Sequence, residues 1–319
     1  MGRSGFGVLI KLYINVPTIV LNNGIEIPSI GIGPGILNYS AFNVISNNKI
    51  FSLSQRVYSK LHRKIFDEKK YINAVTNVIK TGFTLIDFST AYGNEQLIGK
   101  AIKKSGVERK KLFLTTRVSN SQQQKGNIRE QFFNTLKKYG TDYVDLYMFH
   151  WPVTDVYLNT YKQMEQLYKE GYCRAIGVAN CHQHHLEEIL KICDVVPQVN
   201  QFEVHPLFTQ KPLIEYCKSR NIAVEAYTPI ARFDDRLVRL PALKTIAAKY
   251  NKTVVQIVLR WHIQNGVIPV VRSLNKKRQL ENISIFDFEL TSEEMKIIDG
   301  FNINSRLRYD PDNCDFSIL

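Results

Sequence analysis

A recurrence constrains this chain more than any other feature in it. A run with helical spacing meets a glycine, and a short apolar segment follows. Tyr71 to Lys80 stops at Gly82 and leads to Leu85 to Phe88. Asn94 to Lys104 stops at Gly106 and leads to Leu112 to Thr116. Ile128 to Lys138 stops at Gly140 and leads to Val144 to Phe149. Val156 to Lys169 stops at Gly171 and leads to Ala175 to Val178. Each glycine can take the left-handed backbone that ends a helix. The alternation then continues: helix at His184 to Ile192, strand at Gln198 to Gln201, helix at Pro212 to Arg220, strand at Ala223 to Tyr227. Helices are expected at Leu240 to Tyr250 and Val254 to Gln264, then a strand at Ile268 to Val271 and helices at Lys276 to Ile283 and Glu293 to Phe301. Thr253 with Gln256, and Thr291 with Glu294, have capping-box spacing.

Upstream, TIVLNNGIEI (Thr18 to Ile27) places Asn-Gly between two apolar runs, a hairpin signal. SIGIG (Ser29 to Gly33) is a further short strand, which makes eight strands followed by helices. Strict alternation requires a parallel sheet. The expected fold is α/β, a closed (β/α)8 TIM barrel with the N-terminal hairpin at its bottom. A doubly wound sheet competes, but no GxGxxG follows any strand. The 319 residues suit one large domain. Within 1–319, residues 1–16 read as a loose extension and 302–319 as a polar tail. Residues 37–69, rich in Asn, Ser, Lys and Arg, read as a mobile insertion after the first barrel strand, partly helical near Ser54 to Leu61.

The bulk properties exclude several classes. No apolar run reaches the roughly 18 residues of a membrane span. No signal peptide or myristoylation motif is expected at the N-terminus. Five cysteines, odd in number and without a CxxC pair, read as reduced thiols of a cytoplasmic protein, expected to be a monomer. The net charge of +13 is spread over most helices, and no nucleic-acid recognition module occurs. Arg56 to Lys70 reads as solvated surface, and Arg272 to Arg278 as a phosphate site.

In a barrel the strand C-termini carry the chemistry. Here they offer Asp87 and Tyr92, Arg117, His150 and Trp151, Asn180, Asn200 to Glu203, Tyr227 and Thr228, and Arg272 and Ser273. No serine nucleophile has an obvious base. HQHH (His182 to His185) reads as a polar loop entering a helix, and no metal site is expected. A phenol, a carboxylate, a cation and an imidazole suit proton transfer to a carbonyl oxygen.

The motifs IDFSTAYGNE, YVDLYMFHWP, YCRAIGVAN, PQVNQFEVHP, VEAYTP, RSLNKKRQLEN and DPDNCDF, in this order and spacing, resemble the aldo-keto reductases from about Thr18 to Phe316. The resemblance implies a (β/α)8 barrel that binds NADPH and reduces a small carbonyl substrate. Carried over, Tyr92 is the general acid, Asp87 its ion-pair anchor and a cofactor contact, and His150 orients the carbonyl. Trp151 lines the substrate pocket. Asn180 and Gln201 hold the nicotinamide amide, Tyr227 stacks on its ring, and Thr228 meets the pyrophosphate. Arg272, Ser273 and Arg278 grip the 2′-phosphate, and Glu281 and Asn282 contact adenine.

The chain departs from the family pattern at four places. Arg117 stands where the family has its catalytic lysine, and a planar fork is not a point charge. Ala179 replaces a frequent serine. Pro34 and Gly35 replace Thr-Trp. Ile230 to Leu240 is short for a loop that folds over the cofactor. Two functions are therefore expected to compete: NADPH-dependent carbonyl reduction, attenuated by Arg117, and an NADPH-binding sensor or interaction protein with little turnover.

Overall fold

The expected hairpin forms β1 (Thr18–Val20) and β2 (Glu26–Pro28), antiparallel with Ile19 opposite Ile27. Gly24 supplies the positive φ of 82° at its tip, a conformation that side chains disfavour. The computed structural model describes residues 15–33 and 53–316 of the chain.

Eight parallel strands close into a barrel: β3 (Gly31–Ile32), β4 (Leu85–Asp87), β5 (Phe113–Val118), β6 (Val144–Phe149), β7 (Cys173–Ala179), β8 (Val199–Glu203), β9 (Ala223–Tyr227) and β10 (Val267–Val271). They follow one another around the barrel in chain order, and β10 pairs with β3 to close it. The helices between and after them are α1 (Leu53–Lys80), α2 (Glu95–Ser105), α3 (Asn120–Lys125), α4 (Ile128–Tyr139), α5 (Tyr157–Lys169), α6 (Gln183–Ile192), α7 (Lys211–Ser219), α8 (Asp235–Val238), α9 (Pro241–Lys249), α10 (Val254–Gln264), α11 (Lys276–Ile283) and α12 (Ser292–Asp299). None of the described helices is long and apolar enough to cross a membrane.

Strand parity divides the interior into two chemically different levels. Successive side chains point to opposite faces. The inward set near the strand starts is apolar: Leu85, Phe113, Leu146, Ala175, Val199 and Ile268 pack with Leu21 and Ile27 of the hairpin. The hairpin thus seals the bottom, and Asn23 ties it down by donating to the Arg174 carbonyl at 2.9 Å. Two residues further along their strands, or four along β5, the same parity turns Asp87, Gln201, Glu225 and Arg117 inward. The outward set, with Ile86, Leu114, Tyr147, Ile176 and Val224, meets the helices in two larger clusters.

One element differs from expectation. Residues 53–69 belong to a single 28-residue helix, α1, that runs to Lys80. No glycine or proline interrupts Leu53 to Lys80, so nothing in the backbone stops the helix. The segment read as a mobile insertion is, in its second half, an N-terminal extension of a barrel helix. Its first half, like Pro34 and Gly35, lies outside the described residues. Two short helices, α3 and α8, have no counterpart in the periodicity, because they are too brief to show a repeat.

Candidate active site

A cavity of about 640 Å³ opens at the C-terminal ends of the strands. It is lined by Asp87, Tyr92, Arg117, His150, Trp151, Asn180, Gln201, Tyr227, Thr228 and Arg272. Ten of the residues singled out from sequence thus converge on one space. Ser273, Arg278, Glu281 and Asn282 lie beyond its rim, on the turn after β10 and on α11.

Local chemistry places each member. Ser89 caps a 3-10 turn at Thr90–Tyr92 by accepting from the Ala91 N–H, and left-handed Gly93 ends it. This short turn lifts Tyr92 off the end of β4 and over the cavity. Thr90 fastens it, donating to the Arg117 carbonyl at 2.9 Å. The Tyr92 and His150 rings meet edge to face with centroids 6.3 Å apart. Burial, with the nearby Arg117 and Arg308 guanidiniums, pushes the His150 imidazole down to about 3. His150 is therefore neutral near pH 7 and can hydrogen-bond a carbonyl without bringing a charge. Trp151 is buried beside it, with Phe316 of the tail at 6.5 Å.

Arg117 is 2% exposed and Asp87 is 6% exposed. One guanidinium nitrogen of Arg117 (Nη2) donates both to Asp87 Oδ2 and to Gln201 Oε1, the latter at 2.7 Å. Nη1 donates to the Phe88 carbonyl at 3.2 Å. The contact with Asp87 is therefore single-pronged, not a fork meeting a carboxylate. Arg117 Nε and Asp87 Oδ1 have no partner. Gln201 passes the network on, donating to Glu225 Oε2 at 2.6 Å. Two buried carboxyls thus share one cation. Burial lifts the Asp87 carboxyl, and direct contact with Arg117 opposes that lift. Glu225 reaches the cation only through Gln201, and burial and the Asp87 charge push it up to about 8. The charge belongs on Asp87 and the proton on Glu225.

That proton gives a testable pH dependence. A carboxyl whose folded pKa lies above its unfolded value binds more protons when folded, so stability falls as pH rises between the two values. Urea unfolding should find Glu225→Gln steadily more stable relative to the parent from pH 5 to pH 8.5. A gap that stays constant with pH would place the proton elsewhere.

Asn180, like Gln201, already has protein partners. It donates to the His150 carbonyl at 2.9 Å and accepts from the Tyr227 hydroxyl at 2.7 Å. Each side-chain amide keeps a second N–H. Thr228 holds a left-handed φ of 49°, unusual for a β-branched residue, and its buried hydroxyl has no partner. Ala231, Arg232 and Phe233 are left-handed as well, at roughly 1–2 kcal/mol per residue. Concentrated strain beside a cavity marks functional loops. Arg232 and Phe233 line the cavity, and sequence reasoning missed both, because it treated Ile230 to Leu240 only as a short loop. It also missed Arg308.

On the flank beside β10, Ser273 accepts from the Asn275 N–H at 3.2 Å, and Asn275 caps α11. The first turn of α11 carries Lys276, Lys277 and Arg278 and no acid. Cations at a helix N-terminus oppose its dipole, and a phosphate there resolves the conflict. Arg278 lies 5.6 Å over the Phe233 ring, which joins this flank to the cavity wall. An orphaned Thr228 hydroxyl, Arg272 and the basic start of α11 form a continuous path that fits a phosphorylated dinucleotide. HQHH enters α6 as read from sequence, with His182 as N-cap and the His185 Nδ1 accepting its N–H at 3.2 Å.

The aldo/keto reductase family model matches residues 59–303. The chain belongs to the aldo/keto reductase family. It is 39% identical over 299 residues to the glyoxal reductase of Bacillus subtilis (strain 168), covering 94% of this chain and 98% of that protein. It is 36% identical over 246 residues to the methylglyoxal reductase DkgA of Escherichia coli (strain K12), covering 76% of this chain and 89% of that protein. The Bombyx mori aldo-keto reductase solved in complex with NADP superposes with a TM-score of 0.76 at 32% identity, covering 93% of this chain and 96% of that one. For an aldo/keto reductase, Arg117 and the tail cation Arg308 are the features of this cavity that most need explaining.

Proposed function

We propose that this aldo/keto reductase uses NADPH to reduce an aldehyde or ketone to an alcohol, with Tyr92 as the proton donor. The observation that carries the reading is the convergence of Tyr92, neutral His150 and the Asp87–Arg117 pair on one cavity whose rim continues into a basic helix N-terminus. Asn180 and Gln201 would hold the nicotinamide amide with their remaining N–H groups, and Tyr227 would face the ring. Thr228, Arg272, Ser273 and Arg278 would take the phosphates, with Glu281 and Asn282 at the adenine end. Bound there, NADPH would supply the hydride for the carbonyl carbon. His150 donates a hydrogen bond to the carbonyl oxygen and fixes its direction. The Tyr92 hydroxyl then gives its proton to that oxygen, which completes the alcohol, and the phenolate recovers a proton from solvent. Arg117 supplies the cation of this set, in the same cavity wall as Tyr92. Relatives named for glyoxal and methylglyoxal reduction support small reactive carbonyls as the substrate class.

One observation favours the reading as an NADPH-binding protein with little turnover. Arg117 is drawn toward Asp87, Gln201 and the Phe88 carbonyl, which spends its donors away from Tyr92. An assay separates the two. NADPH consumption is followed with methylglyoxal for the parent and for Arg117→Lys. Turnover by the parent, changed less than about tenfold by the substitution, is the expected result. Cofactor binding without parental turnover, together with large activity in Arg117→Lys, would overturn carbonyl reduction for this chain.

A further inference from the structure

Arg308 brings a cation to the cavity that the reaction described above does not use. It is half-buried on the C-terminal tail, and it lines the cavity with Tyr92, His150 and Trp151. Its charge reaches the His150 and Tyr227 side chains. The tail that carries it is fastened on both sides. Glu203, buried at the end of β8, accepts the backbone N–H of Leu307 at 2.7 Å and of Arg308 at 2.9 Å. Four residues on, the Asp312 carboxylate sits 2.7 Å from His182 Nδ1. Arg306 donates to the other nitrogen of that ring at 3.2 Å. The placement of Arg308 is therefore built into the fold.

No carboxylate lies in ion-pair range of its guanidinium among the described residues. Its own neighbour Tyr309 offers only a ring face, 5.7 Å away. Arg117, by contrast, is committed to Asp87, Gln201 and Phe88. Arg232 and Arg272 follow β9 and β10, beside the basic start of α11, where the dinucleotide phosphates fit. β6, whose end carries His150, stands four strands from β10 around the closed barrel. A half-buried guanidinium that keeps its donors in a polar cavity is a ready partner for a planar anion, which it can hold with two parallel hydrogen bonds.

We propose that Arg308 selects carbonyl substrates that carry a carboxylate, gripping that group while the aldehyde or ketone faces Tyr92 and His150. The proposal rests on the carbonyl-reduction reading above. It narrows the substrate class to oxo acids and acid aldehydes, against neutral carbonyls of the same size. The role is in binding, so it should appear mainly in KM.

The test compares 4-carboxybenzaldehyde with benzaldehyde, for the parent, Arg308→Gln and Arg308→Lys, alongside the NADPH dissociation constant measured by fluorescence. The parent should prefer the carboxylated aldehyde. Arg308→Gln should lower kcat/KM for it by about ten- to a hundredfold, the usual range for a hydrogen bond between charged groups. Benzaldehyde and NADPH binding should stay within about twofold, and Arg308→Lys should recover part of the loss. Equal reduction of both aldehydes by the parent, or an equal fall for both in Arg308→Gln, would overturn the selection role. Weakened NADPH binding in that variant would assign Arg308 to the cofactor and also overturn it. If the parent reduces neither aldehyde while binding NADPH, the underlying reading falls and this inference with it.

Discussion

Tyr92→Phe is expected to lower kcat by about 10²- to 10⁴-fold, the usual contribution of a positioned general acid, while NADPH binding stays within about twofold. The substitution removes one oxygen. It leaves in place the capped turn of Ser89 to Gly93 and the edge-to-face contact with His150 at 6.3 Å. Binding and folding are thereby separated from proton transfer. Single-turnover kinetics with methylglyoxal would measure the chemical step directly. Unchanged turnover would remove Tyr92 from the mechanism and leave His150, the other donor beside it, to supply the proton. That outcome would be surprising on physical grounds, because an imidazole held near 3 is neutral at pH 7 and a far poorer acid than its position suggests.

Asp87→Ala is expected to cost about 3–5 kcal/mol of stability, because it leaves the buried Arg117 charge without its counter-ion. Arg117 is 2% exposed, so its charge has little water to turn to. Its remaining acceptors are Gln201 Oε1 and the Phe88 carbonyl, both neutral. Glu225 can offset part of the loss by releasing its proton once the Asp87 charge is gone, since that charge helps to hold the proton on. Urea unfolding measures the cost. The double variant Asp87→Ala with Arg117→Met should recover most of it, because removing both partners leaves no orphaned charge. If the double variant were as unstable as the single one, the loss would come from packing and not from charge.

These two residues show how differently parts of the site could be read. Asp87 and Tyr92 lie five positions apart in one short stretch. Strand parity and the loop that follows put both at the cavity, so their proximity is a local property. The same holds for Arg117, His150, Gln201 and Tyr227, each at the end of its own apolar run. The helix-to-glycine rhythm counted the strands correctly, since period and punctuation are carried by neighbouring residues. It read a helix near Ser54 to Leu61 inside an insertion and a separate one from Tyr71, and missed that nothing in the backbone interrupts the stretch between them, which is one helix. Arg232 and Phe233 escaped notice because left-handed backbone at non-glycine residues leaves no compositional mark.

By itself the sequence determined the count and order of the parallel strands, to which a closed eight-strand barrel was the expected answer, and the polar residues at the strand ends. Only the tertiary structure decided how those residues are wired. It makes one nitrogen of Arg117 serve Asp87 and Gln201 together, and it puts a proton-holding Glu225 at the far end of the same network. It also brings Arg308 back over the cavity from a tail about 190 residues beyond Arg117. The physical reason is that periodicity and capping act over a few residues. Charge sharing and the return of a tail depend on contacts between distant segments, set by closure of the barrel and by Glu203 and His182 fastening the tail across it.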